Sequence, residues 1–599
     1  MSRSSRSSRA SRSRSSDSTR RSARAARAEA REPQAQSATA HLRSFHVGAL
    51  PIINHFLERL DLHRLLAEHL PRESRRVQVD SPRALLTLVR NILLSREPIY
   101  GVGEWAARQA PDLLGLAPGE AAFLNDDRLG RSLDLTFRAP QPTFVMAVVR
   151  HMVPEFQLRL DELHNDSTTV SLFGAYESAQ APGRHRGQDT CAITYGYSKD
   201  HRPDLKQLLY ILTLSEDGGV PVHVATASGN TADDQTHIPT WDLLRELVGG
   251  PDFLYVADCK LASRENLRHI AEHGGRFVTV LPATYQEDAQ FRRQLREQPQ
   301  TLRWRWLYDV TNEQGERVDR LEVCQQPQLT REGWRLFWYR SERKRELDAQ
   351  ARARRTQRAI AALADVQRRL AGPRPRLREH AQVRERVDAI LQEFDVAAWL
   401  QPRIKLCVQE QYRQVGPGRP GPDTRFVQEQ TIRFALTWEI DAQALAQEEQ
   451  GDGVFPLIAN VADWDAEQIL RAYKRQPTIE KRFAQLKSDF AVAPVWLKEV
   501  HRIQALLLVY FLVLLVQSLL ERELRQAMER EGLETLPLYP EGRPCRRPTA
   551  RRVFDVFEPI QRHHLRLADG SEQVLVTELT PLQRQILKLL GLSPTHYGH

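Results

Sequence analysis

A mixed α/β fold is what this 599-residue sequence encodes: a mixed sheet flanked by helices, preceded by a helical N-terminal region. Apolar residues recur at helical spacing up to about residue 150 and at strand spacing between 151 and 290. Within that second stretch a meander of strands gives way to strands alternating with helices, the pattern of a sheet with parallel and antiparallel pairs. The length exceeds a single hydrophobic core, so several domains are expected.

Residues 1–41 read as a basic disordered tail. Ten arginines stand against Asp17, Glu29 and Glu32, a net +7 out of +9 for the whole chain. Serine, arginine and alanine cannot bury a core, and a flexible basic arm can bind phosphates by releasing counterions. From 42 to 150, Leu50, Ile53, Phe56, Leu57 and Leu60 repeat at helical spacing. Ala84, Leu85, Leu88 and Ile92 do so again after the start signal Asp80–Ser81–Pro82. Short helices joined by polar turns suit a DNA-binding domain of helix-turn-helix type, although a plain packing domain would read the same.

The core's first part spans 151–290. Phe156, Leu158 and Leu160 alternate as a first strand, and Leu208–Leu214 and Val220–Ala225 form two more around the turn Glu216–Gly219. Then follow a helix (Thr240–Leu247), a buried strand (Phe253–Ala257), a helix (Ser263–His273) and the strand Phe277–Leu281. Residues 291–451 interrupt the alternation and read as an inserted α+β domain: aromatic-rich strands, a charged helical region at 341–398, an exposed loop at Gly416–Gly421 and a strand at Thr431–Trp438. The core's second part, 452–530, opens with Val454–Ile458 and continues in helices. Residues 531–599 hold a proline-rich linker and a helical segment, Pro581–Leu590.

Cys191, Cys259, Cys324, Cys407 and Cys545 lie far apart with no CxxC pair, which argues against a zinc ribbon or disulfide framework and fits a cytoplasmic protein. No secretory h-region follows the first residues. The apolar run Ala505–Val516 is shorter than the roughly 20 residues a bilayer needs, so a buried core helix is expected and no membrane partner.

Three acids stand out by position. Asp166 closes the first strand segment, Asp258 follows the strand Phe253–Ala257, and Glu480 lies near the start of a helix. Carboxylates at strand ends project over the edge of an open sheet, where α/β proteins build their sites. Hard oxygen ligands suit Mg²⁺, and phosphodiester chemistry uses two such ions about 3.5–4 Å apart. A lone aspartate at a strand end is more often a turn residue, so the acids alone do not decide.

The segments around them resemble bacterial insertion-sequence transposases with a DDE active site, in the family marked by a Y-x2-R-x3-E-x6-K signature. Tyr473, Gln476, Glu480 and Lys487 match three of its four positions, with Gln476 replacing arginine. The resemblance runs from about 47 to 525 and includes Asp166–Thr169, Gly196–Asp204, Ser228–Gly229–Asn230 and Ala257–Asp258. It implies an RNase H-like, integrase-like core and explains the 222 residues between Asp258 and Glu480 by the family's inserted domain. It further implies that Asp166, Asp258 and Glu480 are catalytic and hold two Mg²⁺ ions, for which Mn²⁺ would substitute. Tyr473, Gln476, Lys487, Lys199 and Arg202 are the implied DNA contacts. Double-stranded DNA, as element terminal repeats and target, is the implied partner, and pairing two ends implies a dimer in the DNA complex. Pro477 belongs in a helix's first turn, so Glu480 and Lys487, seven apart, should share one face beside the apolar stripe Ile479, Phe483, Leu486 and Phe490. His164 reads as structural, and Asp233 and Asp234 as turn or capping residues. The alternatives are an RNase H-like nuclease that cuts without joining and a transposase-derived DNA-binding protein that no longer catalyses.

Overall fold

The computed structural model describes residues 41–599 except 313, 326–327, 373–375, 493–494, 496, 568 and 599. All but the last residue of the basic tail therefore lies outside the described residues. Residues 41–43 and 563–575 form a small unit by themselves, and everything below concerns the large unit of residues 44–562 and 576–599.

Its centre is one mixed sheet. In chain order its main strands are β1 (Glu162–Leu172), β2 (Lys206–Ser215), β3 (Pro221–Ser228), β4 (Leu254–Ala257), β5 (Arg276–Val280), β6 (Trp304–Thr311), β7 (Arg317–Cys324), β8 (Arg335–Ser341) and β9 (Val454–Ala459). They lie in the order β3-β2-β1-β4-β5-β9-β8-β7-β6. β1, β2 and β3 form an antiparallel meander, and β4 and β5 run parallel to β1. This is the RNase H-like arrangement. β5 pairs directly with β9 in antiparallel register, Leu457 opposite Val280, so chain segments 174 residues or more apart close onto one another. The strands of 304–341 belong to the same sheet.

Side chains alternate across this sheet as strand geometry requires. Leu254, Val256, Val278 and Leu457 face one apolar core, and Tyr255, Ala257, Phe277 and Ile458 face the other. Residues 359–445 supply a further core of their own, in which Leu363, Ile390, Trp399 and Leu436 are buried. There the helices Glu342–Ala371 and His380–Glu393 accompany a long hairpin, Leu400–Gln414 paired with Phe426–Ile440. The loop containing Gly416–Gly421 joins its strands.

The apolar run at 505–516 lies inside the helix Val500–Arg530, which is long and apolar enough to cross a bilayer but is packed within the protein. It lies against the N-terminal helices: Asp134 accepts from His501 Nε2 at 2.9 Å and from Arg502 Nε at 2.7 Å. Among those helices, Ser81–Leu94 begins as its start signal requires, with the Asp80 carboxylate accepting the Arg83 amide at 3.0 Å.

Two expectations need correction. Phe156, Leu158 and Leu160 form no strand. Phe156 ends the helix Gln141–Phe156, Gln157 turns left-handed at φ 50°, and the Leu158 amide closes back onto the Val153 carbonyl at 2.9 Å. Their alternation reflects a helix C-terminus folded onto the core. Asp166 accordingly sits within an eleven-residue strand and not at its end.

The helix Ala466–Lys474, just before Glu480, starts with a reciprocal cap: the Asp465 carboxylate accepts the Gln468 amide at 2.8 Å, and Gln468 Oε1 accepts the Asp465 amide at 2.9 Å. Asp465→Ala is expected to cost about 1 kcal/mol, measured as a shift of the urea midpoint. No shift would mean that water replaces the cap.

Candidate active site

The two aspartates meet because of strand register. The parallel ladder between β1 and β4 ends at Asn165 opposite Ala257, so Asp166 and Asp258 are the next residues on adjacent strands, about 4.8 Å apart in backbone spacing. β1 continues past this point while β4 stops, leaving both carboxyls at the mouth of the gap.

Each carboxyl has one backbone donor. The Ser167 amide donates to Asp166 Oδ1 at 2.7 Å and the Lys260 amide to Asp258 Oδ1 at 3.0 Å. Burial pushes the Asp166 carboxyl up, Lys199 pulls it back and the charge of Asp258 raises it further, to about 6. Burial likewise raises Asp258, opposed by the Lys260 amide and Lys199 and reinforced by Asp233. A raised carboxyl binds its proton more tightly in the folded protein than in the unfolded chain. Its contribution to stability is therefore full below pH 4 and is lost as the pH rises through 6. Asp166→Asn is expected to stabilise the metal-free protein at pH 8 by up to about 3 kcal/mol and to give no gain at pH 4. Thermal denaturation in chelator at both pH values checks this, and equal shifts would refute it.

Glu480 lies exposed in the first turn of the helix Pro477–Ala484, whose Ile479 and Phe483 are buried. Half-buried Tyr473 precedes it by seven residues, at the end of the helix Ala466–Lys474. Burial, and then the charges of Asp258, Cys259, Glu480 and Asp166, hold the Tyr473 hydroxyl protonated far above its ordinary range. Among the described residues no three histidine, cysteine or acidic side chains stand close enough together to hold a metal ion. The donor set nevertheless fits a hard cation, since two desolvated carboxylates offer only oxygen and already attract the Lys199 ammonium, 3.4 Å from Asp166 Oδ1.

The expected regularity of the Glu480 helix fails at its end. Gln485–Asp489 forms a π-helical segment, so the regular α-helical spacing expected between Glu480 and Lys487 is not kept throughout. Lys487 Nζ pairs with Asp200 Oδ1 at 2.5 Å, while Asp200 Oδ2 accepts from Ser171 Oγ at 3.2 Å.

The other implied DNA contacts are placed as follows. Gln476 is buried: its Nε2 donates to the Asn165 carbonyl at 3.0 Å and its Oε1 lies 2.9 Å from His164 Nδ1. His164 Nε2 lies 2.8 Å from Glu162 Oε1, which also accepts from Arg475 Nε at 2.7 Å. Burial would raise Glu162, but His164 and Arg475 outweigh it and hold that carboxyl below its usual range. This network ties the Asp166 strand to the Glu480 helix, and His164 is structural, as the sequence suggests. Arg202 is exposed and donates twice to Asp204, at 2.8 and 2.7 Å. Lys199 points into the acids, with Nζ 3.4 Å from Asp166 Oδ1 and 3.2 Å from Asp233 Oδ2.

Sequence reasoning passed over two residues. Asp233, taken as a turn residue, accepts from Ser167 Oγ at 2.7 Å and faces Lys199. Its nearness to Ser228–Gly229–Asn230 was the available signal. Arg482, only 4% exposed, donates to the Gly219 and Gly218 carbonyls at 2.9 and 3.1 Å and to Glu521 Oε2 at 2.8 Å. It flanks the apolar stripe of its helix, which alone marked it as inward-facing.

The loops beside the acids touch closely. A methyl group on Gly196 would stand 1.9 Å from the Gly229 carbonyl oxygen, and one on Gly229 would stand 2.1 Å from that of Gln207. Only glycine fits at either position. The loop bearing Lys199 is thereby locked at its root, where Gln207 Nε2 also donates to the Tyr197 carbonyl at 3.1 Å.

Residues 163–516 match the family model described as "Transposase DDE domain", and residues 42–148 match one described as "Domain of unknown function (DUF4277)". None of the curated proteins matches. Among solved structures, a piggyBac transposase synaptic complex with hairpin DNA, determined by cryo-EM, is similar at 6% identity and a TM-score of 0.32, over 86% of this chain and 82% of that one.

Proposed function

Because this chain belongs to the transposase DDE domain family, that of insertion-sequence DDE transposases, we propose that it cuts DNA at the ends of a mobile element and joins the freed 3′ ends to target DNA. The observation that carries this reading is that Asp166 and Asp258 follow directly on Asn165 and Ala257, the last pair of a parallel ladder. Asp166, Asp258 and Glu480 all lie within the segment that matches the family.

Asp166 and Asp258 would together hold divalent ions, and Glu480 would complete the ligand set as its exposed side chain turns inward. Mg²⁺ bound there, in two ions as the resemblance implies, supplies charge neutralisation on the scissile phosphate and activation of water. The protein's own residues orient the DNA. Tyr473 keeps its proton and so offers a hydrogen-bond donor beside the acids. Lys487 and Arg202, paired with Asp200 and Asp204, are cations that an incoming phosphate can recruit. Residues 42–150 would read the element ends, residues 1–41 would add sequence-independent affinity, and two copies would bring two ends together.

The test is Mg²⁺-dependent nicking of a duplex bearing the inverted repeats that flank this reading frame. Cleavage without joining would favour the nuclease. Affinity should fall by orders of magnitude between 50 and 200 mM salt. Deleting residues 1–41 should lower affinity for unrelated duplex while sparing preference for element ends. If end preference were lost instead, the two binding roles would be reversed.

A further inference from the structure

Among the described residues, the polar partners of the Lys199 ammonium are oxygens. Its ammonium donates to the Ser167 carbonyl at 2.7 Å and to Ser167 Oγ at 2.8 Å, and it lies 3.2 Å from Asp233 Oδ2 and 3.4 Å from Asp166 Oδ1. A carbonyl, a hydroxyl and two carboxylates are the donor types that surround a hard metal cation. The arrangement is closed on itself, because Ser167 Oγ also donates to Asp233 Oδ1 at 2.7 Å. The backbone at the root of the Lys199 loop is fixed by the contact between Gly196 and Gly229, but the lysine stem is flexible.

Building on the metal-binding reading above, we propose that Lys199 occupies the cation position of this site in the DNA-free protein and moves onto a DNA phosphate when divalent ions enter. An ammonium at 3.4 Å from Asp166 Oδ1 and a metal ion bound to the same oxygen cannot coexist without strong like-charge repulsion. Entry of the ion therefore expels the ammonium. DNA gives it a new partner, a phosphate oxygen, so metal and DNA each favour the other's binding. In the free protein the same contact neutralises two acids that would otherwise repel each other and the DNA. Lys199 is thus a positioning residue with two resting places, and metal affinity is low until DNA arrives.

The experiment measures Mn²⁺ binding to the full-length, DNA-free protein by electron paramagnetic resonance. The proteins are wild type, Lys199→Met, Lys199→Gln and the double variant Asp166→Asn with Lys199→Met, each checked for an intact thermal transition. The neutral variants should bind Mn²⁺ about tenfold more tightly than wild type, and the double variant should lose that binding. In parallel, the salt dependence of DNA affinity, measured with Mn²⁺, should weaken by about one phosphate contact in Lys199→Met. Equal Mn²⁺ affinity in wild type and both neutral variants, with loss only on adding Asp166→Asn, would overturn the role of Lys199 and leave the metal site standing. Mn²⁺ binding that survives in the double variant would remove Asp166 from the metal site, and this proposal with it. An unchanged salt slope would overturn the transfer to phosphate.

Discussion

Asp166→Asn, Asp258→Asn and Glu480→Gln are each expected to lower Mg²⁺-dependent cleavage of element-end DNA by about a thousandfold or more, with little change in DNA affinity. Each replacement keeps the shape of the side chain and removes one charge. The site has little charge to spare, because Asp166 and Asp258 follow directly on the last registered pair of their ladder, Asn165 and Ala257, and the Lys199 ammonium already draws on Asp166. Losing one would weaken ion binding and misplace the phosphate together, and such effects multiply in the rate. Glu480 starts from an exposed position, so its variant should respond most to raised metal concentration. Undiminished cleavage by any one variant would remove that residue from the chemistry. A parallel loss of DNA affinity would show instead that the residue shapes the binding surface.

The largest expected effect on stability lies behind the site. Arg482 and Glu521 are 4% and 2% exposed and share a contact of 2.8 Å. Glu521 Oε1 also accepts the Ala550 amide at 3.1 Å. Arg482→Met leaves a buried carboxylate without its main cation and frees the Gly218 and Gly219 carbonyls, at an expected cost of about 3–5 kcal/mol. The double variant Arg482→Met with Glu521→Leu should recover part of that loss, since the stranded carboxylate is then gone and only the more distant cation Arg525, 3.5 Å from Glu521, loses its partner. Calorimetry of the three proteins decides the matter. A single variant as stable as wild type would mean that water reaches Glu521. Because Arg482 shares a helix with Glu480, the single variant should also lower cleavage more than binding.

The sheet was legible because its strands carry their own signals. The run Phe253–Ala257 is apolar throughout, as a strand buried on both faces must be, and the strand at 254–257 followed. The hairpin strand Leu400–Gln414 was missed although Ile404, Leu406, Val408 and Tyr412 recur at strand spacing; its outer half is exposed on both faces, so that alternation marks no buried core. Phe156 and Leu158 misled in the opposite sense, since a helix end folded against a core also buries every second residue. Of the three acids, Asp258 does follow a strand as its position suggested, whereas Asp166 stands inside one and is marked by the resemblance alone. The use made of Gln476 could not be read, because its partners His164 and Asn165 are more than 300 positions away in sequence. Nor could the parking of Lys199, which depends on how two glycine-tight loops meet.

The helix Val500–Arg530 has a consequence for how the protein is made. It fills the groove between the helices Ser81–Leu94 and Asp126–Arg138, where Gly130 lets the Arg502 guanidinium approach. A ribosome finishes those helices long before it reaches residue 530. At on the order of ten residues per second, roughly 40 s pass before their partner exists. Throughout that interval the nascent chain presents an apolar surface with nothing to cover it. A chain broken off early is therefore a target for chaperones and proteases. The N-terminal region comes to rest only once the helix Val500–Arg530 has been made.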